Sequence, residues 1–267
     1  MWQVSWAHPK FGVLLASCSY DSKIMVHRET APNSWVCVYT SDVHKASVNA
    51  VAWAPYQYGL ILACCSADGK VSVHSHQPDD SWSKAVFDDS GLGCNGVSWA
   101  PFGHLGGDAP AGGAEGQPAA SPVKRIVTAS CDNKARVWVQ DSDDAEWRRE
   151  SELSMHKDWV RGVAWAPRGG APCNTVVTCS EDTTVIKWTQ SAEGGEWVGK
   201  AVNQFAAPVW SVSWSLTGNI LAVSSGDHSV TLWKETLENE WMYVSGACAK
   251  RSEQKNIEMV EIEMVCK

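Results

Sequence analysis

The sequence predicts an all-β fold, a β-propeller of five four-stranded blades in an open ring, from two motifs in register and one spacing rule. Ser-x-Asp recurs at Asp21, Asp68, Asp132, Asp182 and Asp227, followed six residues after the Asp by Trp or His and eight or nine later by another Trp. Each copy is preceded by Val-x-Trp, at Val4/Trp6, Val51/Trp53, Val97/Trp99, Val163/Trp165 and Val212/Trp214. The unit returns every roughly 40 to 50 residues with four short strand-like segments, the signature of a propeller blade. A pattern built once per blade is fold chemistry, because an active site is built once.

The fourth copy gives the element order most fully. Val160 to Trp165 alternates with the two-residue period of a strand, and Pro167 ends it. Thr175 to Ser180 is β-branched and apolar, as a strand buried on both faces requires, and Glu181-Asp182-Thr183 makes a tight turn. Val185 to Trp188 returns as the third strand, Gly194-Gly195 turns again, and Trp197 opens the outer strand. The same reading places blades at about 1–41, 42–88, 89–152, 153–203 and 204–245, in one domain. The Gly-, Ala- and Pro-rich segment 102–123 is expected to be a mobile surface loop, and 246–267 a disordered or partner-dependent tail.

Composition excludes several function classes. Apolar residues make up 44% and charged residues 19%, which suits a packed core rather than a disordered chain. The net charge of −8 argues against a surface that tracks phosphates, so direct nucleic-acid binding is not expected. Among the 10 cysteines, Cys18, Cys65 and Cys179 share the position before the Ser of Ser-x-Asp, where Ala129 and Ser224 stand in the other copies. That position calls for a small side chain, so packing explains these thiols better than metal ligation. With no signal peptide and no apolar run of membrane length, a cytosolic or nuclear setting is expected, with membranes reached only through partners. No cofactor is expected.

His156, Ser180, Asp182 and Trp188 resemble the hydrogen-bond network of WD-repeat blades. In that family a turn Asp accepts from a His on the entering loop, and the His is tied to a strand hydroxyl and a Trp N–H. His44 with Asp68 repeats the pair, with His74 in place of the strand Trp. A Ser/His/Asp catalytic triad is the competing reading, and recurrence of Asp and Ser in every copy speaks against it. Of 16 tryptophans, all but Trp2, Trp159 and Trp210 fall in strand registers expected to pack blade on blade. One register, two residues before the first-strand Val, holds Trp2, Asn49, Asn95, Arg161 and Trp210. It lies on one flat face near the central channel, where these residues either contact a partner or cap the channel.

Two segments are more specific still: WQVSWAHPKFGVLLASCSYDSKIMVHRE, from Trp2 to Glu29, and VWSVSWSLTGNILAVSSGDHSVTLWKE, from Val209 to Glu235. Both resemble the Sec-thirteen family of WD-repeat proteins, and the likeness spans about residues 1–245. The resemblance implies a six-bladed open propeller completed by a blade from an α-solenoid partner. That partner is the outer-coat subunit of COPII at the endoplasmic reticulum or a nucleoporin of the nuclear-pore Y-complex, with GATOR complex subunits as further partners. It implies a scaffold, not an enzyme, on the cytoplasmic side of the endoplasmic reticulum, on COPII vesicles and at the nuclear envelope. It also implies that a first blade precedes Met1, leaving the last blade to line the partner groove through Val209, Trp210, Val212, Trp214, Leu221 and Val223. The alternative function is a WD-repeat adaptor or substrate receptor, for a ubiquitin ligase or nutrient-signalling complex, that takes peptide motifs on the flat face.

Overall fold

The computed structural model describes residues 1–104, 122–167, 173–192, 194–236, 238 and 240–248. Most of the expected loop 102–123, and the expected tail from residue 249 on, lie outside the described residues. The described residues form five four-stranded antiparallel sheets. The first blade holds β1 (Gln3–Trp6), β2 (Leu14–Cys18), β3 (Ile24–Ala31) and β4 (Ser34–Ser41). The second holds β5 (Val48–Trp53), β6 (Ile61–Ser66), β7 (Lys70–His76) and β8 (Trp82–Asp88), and the third β9 (Cys94–Trp99), β10 (Lys124–Ser130), β11 (Ala135–Gln140) and β12 (Arg148–Leu153). The fourth holds β13 (Val160–Trp165), β14 (Asn174–Ser180), β15 (Thr184–Gln190) and β16 (Val198–Gln204). The fifth holds β17 (Val209–Trp214), β18 (Ile220–Ser225), β19 (Ser229–Glu235) and β20 (Trp241–Cys248). β20 thus runs past residue 245, where the last blade was expected to stop.

Every blade is an up-and-down meander, and the innermost strands neighbour one another in the order β1, β5, β9, β13, β17 without β17 returning to β1. Four apolar clusters fill the four joints between successive blades. Trp53 and Trp82 pack toward the first blade, Trp99, Trp138 and Trp147 toward the second, Trp165, Trp188 and Trp197 toward the third, and Trp214, Trp233 and Trp241 toward the fourth. The strand tryptophans of the second to fifth blades therefore face the preceding blade. Trp6 and Trp35 hold the same register in the first blade, pair at 5.8 Å, and remain 60% and 39% exposed.

The first-strand indoles also stitch blade to blade. Trp53 Nε1 donates to Ser5 O at 2.9 Å, Trp99 Nε1 to Ala52 O at 2.9 Å, and Trp214 Nε1 to Ala164 O at 3.2 Å. In each case the acceptor is the carbonyl just before the first-strand Trp of the preceding blade. A buried indole N–H left without an acceptor costs free energy, so the stitch fixes blade spacing as well as filling the joint.

The small side chain before Ser-x-Asp has a structural cause. Cys18, Cys65, Ala129 and Cys179 are fully buried, and a Cβ placed on Gly162 would come within 2.9 Å of Cys179 Sγ. The two strands meet there with no room for a larger side chain. Burial pushes the thiols of Cys18 and Cys179 up to about 12, which makes them packing groups rather than nucleophiles.

Candidate functional site: turn networks and exposed faces

The Asp of Ser-x-Asp is first a turn residue. Its carboxylate accepts the backbone N–H two residues on in all five blades: Lys23, Lys70, Lys134, Thr184 and Ser229, at 2.9 to 3.3 Å. The intervening residue is left-handed each time, as Ser22, Gly69, Asn133, Thr183 and His228, with φ between 65° and 79°. Asp is suited to this turn because its short side chain reproduces a backbone hydrogen bond while the chain reverses. What differs between blades is the group that enters from the preceding loop.

In the fourth blade His156 Nδ1 donates to Asp182 Oδ2 at 3.0 Å, and Lys157 N–H donates to the same oxygen at 2.8 Å. His156 Nε2 accepts from Thr178 Oγ1 at 2.7 Å, and Trp188 Nε1 donates to that hydroxyl at 2.9 Å. The strand hydroxyl in this relay is Thr178, which corrects the assignment to Ser180. Ser180 lies one turn of the alternation nearer the reversal, donating to Asp158 O at 2.9 Å and accepting from Asp182 N–H. Burial lowers the His156 pKa, with Asp182 opposing. Burial alone would raise the Asp182 carboxyl, but donors on Thr184 and Lys157, with His156 beside it, hold it below the usual range.

The second blade lengthens the relay. His44 Nδ1 donates to Asp68 at 3.1 Å, and its Nε2 accepts from Ser72 Oγ at 2.8 Å. Ser72 Oγ in turn accepts from His74 Nε2 at 2.8 Å, whose Nδ1 accepts from Tyr39 OH at 2.9 Å in the first blade. His74 thus does the work of a Trp N–H and reaches one residue further. Buried and next to His44, it is pushed down to about 3, which keeps the ring neutral as this donor order requires.

The third and fifth blades solve the same position differently. In the third, Asp89 replaces the His: it accepts from the Thr128 hydroxyl and from Trp138 Nε1 at 3.1 Å. Arg136 then bridges Asp89, at 3.3 Å, and the turn carboxylate Asp132. In the fifth, Phe205 stands four residues before β17, as His156 does before β13, and meets Trp233 edge-on at 5.7 Å. Sequence reasoning missed Asp89, Arg136 and Phe205. The Arg two residues before Trp138 was the available signal, since a charge at that position needs a buried partner.

The flat-face register joins neighbouring blades. Trp2 Nε1 donates to Ser47 Oγ at 2.7 Å, Asn49 Nδ2 to Cys94 O at 2.9 Å, and Asn95 Nδ2 to Val160 O at 3.0 Å. Arg161 pairs with Glu181 and lies 4.9 Å from the ring of Trp159 and 4.9 Å from that of Trp210. Trp2, Trp159 and Trp210 are exposed, whereas Asn49, Asn95 and Arg161 are half-buried.

The proposed groove residues of the last blade need correction. Val209, Val212, Leu221 and Val223 are buried in the joint with the fourth blade, Trp214 packs on that same cluster, and Trp210 belongs to the flat face. Strand alternation puts their neighbours on the other side: Ile220, Ala222, Val230 and Leu232. Their counterparts in the first blade, Leu14, Ala16, Ile24 and Val26, are at most 1% exposed, whereas Val230 is 44% exposed and Met242 beyond it 55%. Among the described residues, no group of three or more His, Cys, Asp or Glu is placed to hold a metal ion.

Three segments, 35–75, 147–189 and 199–234, match the family described as WD domain, G-beta repeat. Each match opens at the outer strand of one blade and closes on the third strand of the next. The chain is 43% identical over 262 residues to Protein SEC13 homolog of Drosophila melanogaster, covering 96% of this chain and 72% of that protein. It is 40% identical over 265 residues to Protein transport protein SEC13 of Cryptococcus neoformans, covering 92% and 80%. It is 45% identical over 247 residues to the protein of the same name in Yarrowia lipolytica, covering 90% and 79%. Identity sustained along both chains and carried on WD-type blades makes this chain a member of the Sec13 family.

Proposed function

We propose that the protein is a non-enzymatic scaffold subunit of the outer COPII coat, in transport from the endoplasmic reticulum to the Golgi, and of the nuclear-pore outer ring. It acts by receiving a blade from an α-solenoid partner. The observation that carries this reading is the unmatched face of the last blade, Ile220, Ala222, Val230 and Leu232, in the register that every earlier joint covers. An exposed sheet face of this kind is stabilised by adding another sheet to it, with apolar burial at about 25 cal/mol per Å2 supplying the affinity. The relatives named as transport proteins favour the coat over other WD-repeat roles. No helix among the described residues is long and apolar enough to cross a membrane. In this reading the endoplasmic reticulum and nuclear envelope are reached through partners, with GATOR subunits among the further complexes.

The test is co-elution of the full chain with the insertion segment of the outer-coat solenoid in gel filtration. A stable complex is expected for the wild type and its loss for Leu232→Asp, which puts a charge into the new joint. Complex formation that survives Leu232→Asp and Val230→Asp together would overturn the reading.

A further inference from the structure

The junction of the fourth and fifth blades carries a feature that the scaffold role does not use. On the flat face, Trp159, Arg161 and Trp210 form an indole–guanidinium–indole stack with both ring centroids 4.9 Å from the Arg161 carbon. Glu181 pairs with Arg161 from the side, donating nothing and accepting through Oε1 from Nε at 2.8 Å and from Nη2. Trp210 rests against Gly226, where a Cβ would come within 3.1 Å of its Nε1, and the backbone N–H of Trp159 donates to Asp158 Oδ1 at 2.7 Å, which fixes the main chain that carries this indole. The stack is therefore held in place, yet Trp159 is 44% and Trp210 49% exposed. Channel capping does not account for indoles that leave so much of their surface in water, since burying that surface is what would stabilise them.

The charges around the stack set the chemistry of what covers it. Asp158 flanks Trp159, Asp227 follows the glycine under Trp210, and both carboxylates are exposed. Hydroxyls of Ser225 and Ser229 hold Asp227 down to about 2, so it is ionised at neutral pH. Lys157 is the one exposed Lys or Arg in the 156–161 loop and strand start. An internal guanidinium already occupies the inner faces of the two indoles, with a carboxylate at its edge. The exposed surface of each indole, with Asp158 next to Trp159 in the chain and Asp227 next to the glycine that Trp210 rests on, offers a second guanidinium a similar pairing of ring and carboxylate.

We propose that this face is a docking site for an extended segment of a partner protein that presents Arg side chains alternating with large apolar ones. The Arg stacks on the exposed surface of Trp159 or Trp210 and pairs with Asp158 or Asp227, and the apolar side chain covers the remaining indole surface. The site is separate from the last-blade face, so it stands or falls independently of the scaffold reading.

The probe is a capped peptide of alternating Arg and Leu, titrated into the full-length protein by calorimetry at 150 mM salt, with Glu-Leu and Lys-Leu peptides as comparisons. Binding of the Arg peptide is expected to weaken at least tenfold in Trp159→Ala and several-fold in Asp158→Asn. The Lys peptide should bind more weakly because an ammonium does not stack as a plane. Asp141→Asn, a rim carboxylate paired with Arg148 elsewhere, controls for net charge. Equal loss in Asp141→Asn, no difference between Arg and Glu peptides, or unchanged affinity in Trp159→Ala would each overturn the proposal. Asp158→Asn keeps side-chain shape and decides the matter if Trp159→Ala fails to fold, and co-elution with the solenoid segment is expected to survive both.

Discussion

Replacing Asp182 with Ala removes the acceptor of four hydrogen bonds: His156 Nδ1 at 3.0 Å, Lys157 N at 2.8 Å, Thr184 N at 2.9 Å and Thr184 Oγ1 at 2.6 Å. The donors do not lose equally. Lys157 lies in water and recovers a partner there, whereas His156 has no exposed side-chain surface. A buried donor stripped of its acceptor costs about 1–3 kcal/mol. Thr184 Oγ1, 3.1 Å from the same nitrogen, retains part of that interaction, which sets the net cost near 2 kcal/mol with the turn contribution included. With a urea dependence of about 3 kcal/mol per M for a chain of this size, the unfolding midpoint should fall by roughly 0.7 M, followed by tryptophan fluorescence. Asp227→Ala is the internal comparison: Asp227 makes the same turn but has no His partner and stands in water. An unchanged midpoint for Asp182→Ala, or an equal shift for Asp227→Ala, would refute the argument that the buried His, rather than the turn, makes the difference.

Three further outcomes follow from the same geometry. Arg136→Leu leaves Asp89 buried without its cation and should cost about 3–5 kcal/mol in thermal or urea unfolding; adding Asp89→Asn should restore most of it, and a stable single variant would contradict the bridge. His74 is neutral in the fold and protonates more readily when unfolded, so its contribution is complete above pH 6.5 and is lost toward pH 3; the unfolding free energy from urea titrations should fall as pH drops below 6.5, by up to about 1.4 kcal/mol per pH unit from this group, and His74→Gln should flatten that slope. Thr183 is β-branched and left-handed at φ 69°, so Thr183→Gly should raise stability by about 0.5–1 kcal/mol, and a lower midpoint would show that the turn is unstrained.

The propeller was legible because its Asp turns and Trp joints recur at fixed spacing, and repetition separates signal from chance. Residue roles within a strand were harder. Thr178 and Ser180 lie two apart on the same strand face, and which of them meets His156 depends on how the entering loop descends, a tertiary matter. The last-blade groove was misread by one residue, since alternation says that Val223 and Ala222 face opposite ways but not which way the neighbouring blade lies. The direction is set by the Trp stitches, visible only once Trp214 is seen donating to Ala164. Asp89 escaped notice because it lies five residues before β9, whereas His44 and His156 lie four before their strands.

The charge-swapped third blade also constrains how such a blade can arise. From a His-bearing ancestor, changing the loop residue to Asp first would bring two carboxylates, Asp89 and Asp132, against one another in a buried site with no cation between them. Placing Arg136 first is tolerable, because Asp132 is already there to pair with it. The order of substitution is therefore not free: the cation precedes the second anion, and once both are present Arg136 cannot revert while Asp89 remains. Blades that look interchangeable in outline are locked into their own chemistry by a single pair of side chains.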